Sequence, residues 1–214
     1  MFSHRWISVI VAVCAASAQA ALTSPTAQTR RVSAGINSVS TPSGVFGPFN
    51  EYVSAPPEQI GSARQTSSIS DTVVQYSSSI SSNNGNERRY GATVETFFSY
   101  SFQLLQPANY SLTYSRTLIN NGILNMNFIG PGLFVEDFPF TPNSYSHVYS
   151  GLLSPGSYGL SYQQSTGPGP GDQRAGGTGQ FTLTLTPLPE PASLLLLSCG
   201  SVLLLCRRRC RNAA

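Results

Sequence analysis

Apolar and polar residues alternate with a period of two along much of the chain, and helical periodicity is not convincing anywhere. Five segments show the alternation most clearly, and their apolar positions are Phe98, Tyr100, Phe102 and Leu104; Tyr110, Leu112 and Tyr114; Leu124, Met126 and Phe128; Tyr158, Leu160 and Tyr162; and Phe181, Leu183 and Leu185. A period of two puts these side chains on one face of a strand and their Ser, Thr, Asn or Gln neighbours on the other. The pattern predicts antiparallel sheets with one buried and one wet face.

Turn residues separate the predicted strands. Asn121-Gly122 tolerates the positive φ angles of a type I′ turn, so we expect a hairpin between residues 116–120 and 123–128. Residues 154–156 read Ser-Pro-Gly, which predicts a tight turn. Residues 167–179 are rich in Gly and Pro and are predicted to form a loop before the last strand.

The chain divides into a body and two ends. Residues 49–188 are predicted to form one β-sandwich domain, which includes a sixth alternating segment at residues 74–80. Residues 21–48 are rich in Ser, Thr and Pro with few periodic apolar positions, so we expect a loose lead-in or one edge strand. The fold class is predicted to be all-β, because two packed sheets would bury the apolar faces of these strands.

The first 20 residues have the features of a secretory signal peptide. Arg5 supplies a positive charge, residues 6–16 are mostly apolar, and Ala18 and Ala20 occupy the positions that signal peptidase reads. The apolar run is well below the roughly 20 residues needed to span a bilayer. Cleavage after Ala20 is predicted, with a lipoprotein carried on Cys14 as the alternative.

Three elements follow one another at the C-terminus. Pro189, Glu190 and Pro191 favour an extended peptide, because proline fixes φ and restricts the residue before it. Residues 192–206 are almost wholly apolar and would form a short helix, which spans a bilayer core of about 30 Å only marginally. The chain then ends in a basic cluster, Arg207, Arg208, Arg209 and Arg211. These arginines are expected to stay cytoplasmic while the body is exported. The short apolar helix is expected to insert transiently in the inner membrane.

The order of Pro-Glu-Pro, short apolar helix and terminal arginines resembles the PEP-CTERM sorting signal, over residues 189–214. The resemblance implies that a membrane processing enzyme of the exosortase type cuts the protein near the Pro-Glu-Pro, often in bacteria that make exopolysaccharide. The expected partners are therefore signal peptidase, this exosortase and, as a further candidate, exopolysaccharide. An ordinary tail anchor that is never cut is the alternative.

The body resembles the β-sandwich common in PEP-CTERM proteins of unknown role. The residues that carry this resemblance are Gln65, Ser67 to Ile69, Phe97 to Leu104, Pro107, Tyr110 to Thr113, Leu153 to Leu160 and Phe181 to Leu185. The resemblance covers about residues 46–186 and implies a jelly-roll-like antiparallel β-sandwich, flanked by the signal peptide and the short hydrophobic helix. It implies no activity.

The charge of the body differs from that of the whole chain. The chain carries a formal charge of +3, but residues 21–188 contain seven arginines and eight acids, a net charge of −1. The basic surface that nucleic-acid binding requires is absent from the body sequence, so no nucleic-acid partner is expected. All four cysteines, at positions 14, 199, 206 and 210, lie in the two ends, so no disulfide is expected in the exported body.

Few residues in the body are suited to catalysis. His147 is its only histidine, which excludes multi-histidine metal sites, and the body has no cysteine, which excludes Cys/His nucleophiles. No G-x-S-x-G motif is present. We expect His147 on the polar side of a strand. Glu136 and Asp137 could join Glu95 as a carboxylate pair for glycoside hydrolysis or bind calcium, but adjacent acids alternate faces and are usually solvated. No enzyme activity, metal or cofactor is therefore predicted.

The sequence favours an exported structural protein of the cell surface or extracellular matrix. The alternative is a carbohydrate-binding module that presents tyrosines to sugars, although most of these side chains alternate as core residues. The candidates are Tyr100, Tyr114, Tyr145, Tyr149, Tyr158 and Tyr162. A glycoside hydrolase is less favoured, and the threonine row of residues 182, 184 and 186 is too small to predict ice binding.

Overall fold

The computed structural model describes residues 21–41, 45–83, 90–120, 122–137, 144–167 and 174–188. Thirteen strands make up the described part of the chain. They are β1 (Thr23–Ala34), β2 (Asn37–Thr41), β3 (Phe49–Ser54), β4 (Gln59–Ile69), β5 (Val73–Asn83), β6 (Tyr90–Gly91), β7 (Val94–Leu104), β8 (Ala108–Ile119), β9 (Gly122–Gly130), β10 (Leu133–Asp137), β11 (Ser144–Leu153), β12 (Gly156–Thr166) and β13 (Arg174–Pro187).

The strands form two sheets. The first sheet has the order β10-β9-β12-β7-β1-β2, and the second has the order β11-β8-β13-β5-β4-β3. Every pair along both orders is antiparallel, and the two-residue β6 adds a parallel bridge to β4. The predicted all-β fold class is confirmed for the described residues, which contain no helix and hence none able to cross a membrane.

The core lies between the two sheets and is built from the alternating positions. All sixteen apolar residues of the five predicted segments are buried, as are Val74, Tyr76 and Ile80 of β5. Rings from opposite sheets are in contact: Tyr76 of β5 lies 5.4 Å from Phe98 of β7 and 4.6 Å from Tyr162 of β12 between ring centroids. The period-two pattern thus identified the face of each strand that meets the other sheet.

The expected lead-in at residues 21–48 is corrected by β1 and β2. Of these two strands only β2 lies at an edge, because β1 lies inside the first sheet between β2 and β7. The inward positions of β1 include Gln28 and Arg30, which are 1% and 0% exposed, so polar residues concealed the alternation. Arg30 donates a hydrogen bond to the carbonyl of Gly47, and its guanidinium lies 5.7 Å from the Phe49 ring centroid. Burial lowers the pKa of Arg30 to about 10, so the side chain remains charged at neutral pH.

The expected hairpin at Asn121-Gly122 is also wrong. β8 and β9 lie in different sheets, because both edges of β8 are already occupied by β11 and β13. Asn120 has a φ of 39°, so a positive φ does occur at this connection, whereas Asn121 lies outside the described residues. The turn therefore carries the chain from one sheet to the other.

The expected loop at residues 167–179 is shorter than predicted. β13 begins at Arg174, so Gly176, Gly177 and Gly179 are strand residues, while residues 168–173 lie outside the described part. A β-carbon on Gly179 would overlap the hydroxyl group of Tyr162, which reaches across from the first sheet. Close packing between the sheets therefore requires glycine at position 179, whereas a β-carbon on Gly176 would meet the backbone of the neighbouring strand β5.

We expect Phe98→Ala to destabilise the body by about 3–5 kcal/mol, because the ring is fully buried between the sheets. Phe97→Ala is the matched control, since the neighbouring ring lies on the opposite face, only partly buried beside Arg31. Its loss should cost about 1 kcal/mol. Urea unfolding followed by far-UV circular dichroism measures both, and equal costs would contradict the assignment of faces.

Candidate functional site

One edge of the sandwich brings some of the candidate residues from the sequence together with Arg116. β10 ends the first sheet and β11 ends the second, and the two strands follow one another in the chain. An ion pair between Arg116 of β8 and Asp137 of β10 links the two sheets there. We call Arg116, Asp137, Tyr145, His147 and Tyr149 the edge cluster.

The ion pair of the edge cluster is largely withdrawn from solvent. Nε of Arg116 donates to Oδ2 of Asp137 over 2.9 Å, and the two side chains are only 4% and 16% exposed. Arg116 points inward because it shares the parity of Tyr114 and Leu118 on β8. The expectation that Glu136 and Asp137 lie on opposite faces is confirmed, but Asp137 is paired rather than solvated. The parity of Arg116 was the sequence signal for this contact.

Three rings of β11 form a row on the inward face of this edge strand. The register places Tyr145 opposite Arg116 and His147 opposite Tyr114. His147 therefore shares a face with Tyr145 and Tyr149 instead of lying on the polar side, and it is exposed because β11 is the last strand of its sheet. The Tyr145 and His147 ring centroids are 6.1 Å apart, and those of His147 and Tyr149 are 4.4 Å apart.

The rings of this row do not make one flat platform. Tyr145 and His147 are nearly parallel at 12°, whereas His147 and Tyr149 are inclined at 57°. The hydroxyl oxygens of Tyr145 and Tyr149 lie 3.4 Å apart, so the two phenol rings lean toward each other. The guanidinium of Arg116 lies 5.1 Å from the Tyr145 ring centroid, which fixes that ring from the core side.

The phenol groups of Tyr149 and the adjacent Tyr114 cannot act as bases at neutral pH. Burial raises the pKa of Tyr149 to about 12, and the adjacent Tyr145 hydroxyl adds to the shift. Burial also raises the pKa of Tyr114, with Tyr162 and the Asp137 carboxylate as further causes. Both groups therefore remain protonated and neutral, and the edge cluster offers hydrogen-bond donors and aromatic surface.

The three acids proposed as a catalytic or calcium-binding group are not brought together. Glu95 on the outer face of β7 accepts hydrogen bonds from Arg31 and Gln163, both over 2.8 Å. Glu136 points outward on β10, and Asp137 points inward to Arg116. Within the described ranges, no group of three His, Cys, Asp or Glu residues could hold a metal ion.

The outer face of the second sheet carries rows of uncharged polar side chains. One row runs in register across six strands through Asn50, Thr66, Ser77, Gln180, Ser115 and Ser146. Neighbours in this row are bonded: the oxygens of Thr66 and Ser77 lie 2.6 Å apart, and Gln180 donates to Ser115 over 2.9 Å. We call this surface the hydroxyl face.

Two adjoining depressions lie on the hydroxyl face, with volumes of about 530 and 560 Å³, and Ser77, Ser115 and Gln180 line both. Thr182 lies in the neighbouring row between Thr113 and Gln75. The surface therefore mixes hydroxyl and amide groups and is not a uniform array of threonines. Such groups can donate and accept hydrogen bonds with sugars or water.

The structure separates the six candidate sugar-binding tyrosines. Tyr145 and Tyr149 remain partly exposed in the edge cluster, whereas the other four are buried, which confirms their expected place in the core. Several predicted functional residues lie outside the described residues. They are Ala18, Ala20, Pro189, Glu190, Pro191, Arg207, Arg208, Arg209 and Arg211.

Comparison with known proteins leaves the family open. No family model matches the chain, and no curated protein matches it. Among solved structures, the chain is similar to the GH31 α-xylosidase of Xanthomonas citri, with 8% sequence identity and a TM-score of 0.22. The match covers 77% of this chain and 28% of the xylosidase chain.

We expect Asp137→Ala to destabilise the body by about 3 kcal/mol, because it breaks an ion pair that is largely buried. Glu95→Ala is the control, since the Arg31 side chain of that pair is 48% exposed, and its cost should stay below about 1 kcal/mol. Thermal unfolding of both variants at neutral pH measures the difference. Similar costs would mean that the Arg116–Asp137 pair does not stabilise the edge.

Proposed function

We propose that the chain is an exported, non-enzymatic structural protein of the cell surface or extracellular matrix, sorted through a PEP-CTERM signal. The observation that carries the sorting proposal is the order of elements in residues 189–214: Pro-Glu-Pro, a short apolar segment and an arginine cluster. An extended peptide at the membrane surface suits the cleft of a processing enzyme. Arginines after a marginal apolar span stop transfer without anchoring strongly.

The body suits this destination because its surface is polar and close to neutral. The hydroxyl face spans the second sheet, and Ser99 and Ser161 continue the same chemistry on the outer face of the first sheet. The chain crosses between sheets at β2–β3, β5–β7, β7–β8, β8–β9, β10–β11, β11–β12 and β12–β13. This alternation is typical of a jelly roll, which is the classification we propose for the sandwich.

Processing of the tail is the central test. We expect Pro189→Ala/Pro191→Ala to accumulate as uncut protein in the inner membrane, because a helix could then extend through Glu190 and lengthen the span. The wild-type protein recovered from the surface or medium should lack the residues beyond roughly the Pro-Glu-Pro. Mass spectrometry of the C-terminal peptide measures both.

The matched control is Pro187→Ala, which changes a proline just before the motif and leaves Pro-Glu-Pro intact. That variant should be cut like the wild type. Mature wild-type protein that retains residues 194–211 would mean that the tail is a permanent anchor, and the sorting proposal would be wrong.

Carbohydrate binding is the second candidate function. It is favoured by the two adjoining depressions on the hydroxyl face, which present mainly hydroxyl and amide groups, with Arg116 among the residues that line the first. Neutral polysaccharides are recognised through hydrogen bonds of this kind, usually with an aromatic ring beside them. Tyr145 also lines the first depression, but its ring belongs to the inward row of β11.

We expect Ser115→Ala/Gln180→Ala to weaken binding of neutral polysaccharide about tenfold or more, because it removes a bonded pair shared by both depressions. The control is Gln103→Ala/Ser157→Ala, which removes an equivalent pair, 2.7 Å apart, from the outer face of the first sheet. Isothermal titration with the exopolysaccharide of the host measures affinity. If the wild-type protein does not bind, the carbohydrate-binding candidate is wrong and only the structural role remains.

A further inference from the structure

β11 is a long edge strand with a free side. Its ten residues pair with β8 from Ser144 to Leu153 without a shift in register, and no other described strand lies beside it. Its outward side chains Val148 and Leu152 are 56% and 62% exposed. An edge of this kind presents unpaired backbone N–H and C=O groups to any strand that approaches it.

The other three edges of the sandwich carry the protection that β11 lacks. β10 has five residues and contains Glu136 and Asp137, β3 has six residues and contains Glu51, and β2 has five residues. β11 contains no proline and no Lys, Arg, Asp or Glu. Short length and charge are the usual means by which proteins prevent strand addition at an edge, so β11 is the exception here.

The sequence of β11 is close to a palindrome. Residues 144–150 read Ser-Tyr-Ser-His-Val-Tyr-Ser, which is symmetric about His147 except that Ser146 mirrors Val148. Antiparallel strands run in opposite directions, so a palindromic strand placed beside its own copy matches like with like. Tyr145 would then lie opposite Tyr149 of the second copy, and Ser144 opposite Ser150 of the second copy.

We propose that β11 pairs antiparallel with β11 of a second copy of this chain, about a two-fold axis at His147. The pairing joins the second sheets of both copies into one continuous sheet. Opposed aromatic side chains stabilise a strand pair, and both Tyr pairs of the interface are of this kind. A foreign strand would gain nothing from the mirror symmetry of residues 144–150, which is why the second copy is the occupant.

The symmetry also limits the assembly to two copies at this edge. A two-fold contact uses the same surface of both partners, so each β11 is fully occupied once the pair has formed. Side chains directly opposite each other have β-carbons about 4.5–5.5 Å apart. His147 therefore lies against His147 of the second copy, whereas residues farther from the axis are separated from their own copies.

Cysteine cross-linking in the full-length chain in non-ionic detergent tests this register. His147→Cys should form a disulfide with its own copy under mild oxidation, since opposite positions meet the spacing that a disulfide requires. Ser150→Cys is the matched control on the same strand, because the two copies of residue 150 are about 20 Å apart. The double variant Ser144→Cys/Ser150→Cys should cross-link again. Mass spectrometry of the linked peptides distinguishes these bonds from those of the cysteines at 14, 199, 206 and 210.

A charge variant supplies an independent measurement of the same contact. His147→Lys places two ammonium groups opposite each other at the axis and should lower the dimer association constant at least about tenfold. His147→Gln should retain the dimer. Sedimentation velocity measures both, with circular dichroism to verify the fold. Equal cross-linking at 147 and 150, no disulfide at 147, or a dimer unaffected by His147→Lys would overturn the proposal.

Discussion

Contact between four aromatic rings from the two sheets is the interaction on which the rest of the structure depends. Tyr76 and Phe181 come from the second sheet, Phe98 and Tyr162 from the first, and neighbouring centroids are 4.6–6.2 Å apart. No cysteine lies in residues 21–188, so burial of such rings must supply the stability that a disulfide would add elsewhere. The close approach at Tyr162 in turn requires glycine at position 179 of β13.

Much of the fold was predictable because the core strands obey a single rule. Where apolar and polar residues alternate, as from Phe98 to Leu104, the sequence identified both the strand and its buried face. The rule did not identify β1 as a strand, because its inward positions include Gln28 and Arg30, whose burial depends on partners distant in the sequence. The glycines of β13 were not predicted as strand residues because a missing side chain carries no periodicity, although at Gly179 the opposite sheet requires it.

The candidate site was predictable only in its components. Asp137 and Tyr145 were identified as residues of interest, but the parity of Arg116 indicated only its inward face and not that it would lie between them. That contact depends on β8 and β10 belonging to opposite sheets, and the Asn121-Gly122 signal suggested a local hairpin instead. A turn motif reports local backbone preference, whereas strand pairing depends on which neighbouring edges are free.

The same constraint accounts for the distribution of exposed chemistry. Because most apolar side chains lie between the sheets, the hydroxyl face presents mainly hydroxyl and amide groups that pair with their neighbours, as Thr66 pairs with Ser77. Exposed apolar side chains occur elsewhere, as at Ile129 and Phe134 of the first sheet. The hydroxyl face therefore has little tendency to associate through apolar burial. Association of the second sheet can instead use backbone groups, which are free at its edges. Charge and short length protect β10 and β3, so specific contacts of this body with another chain should begin at β11.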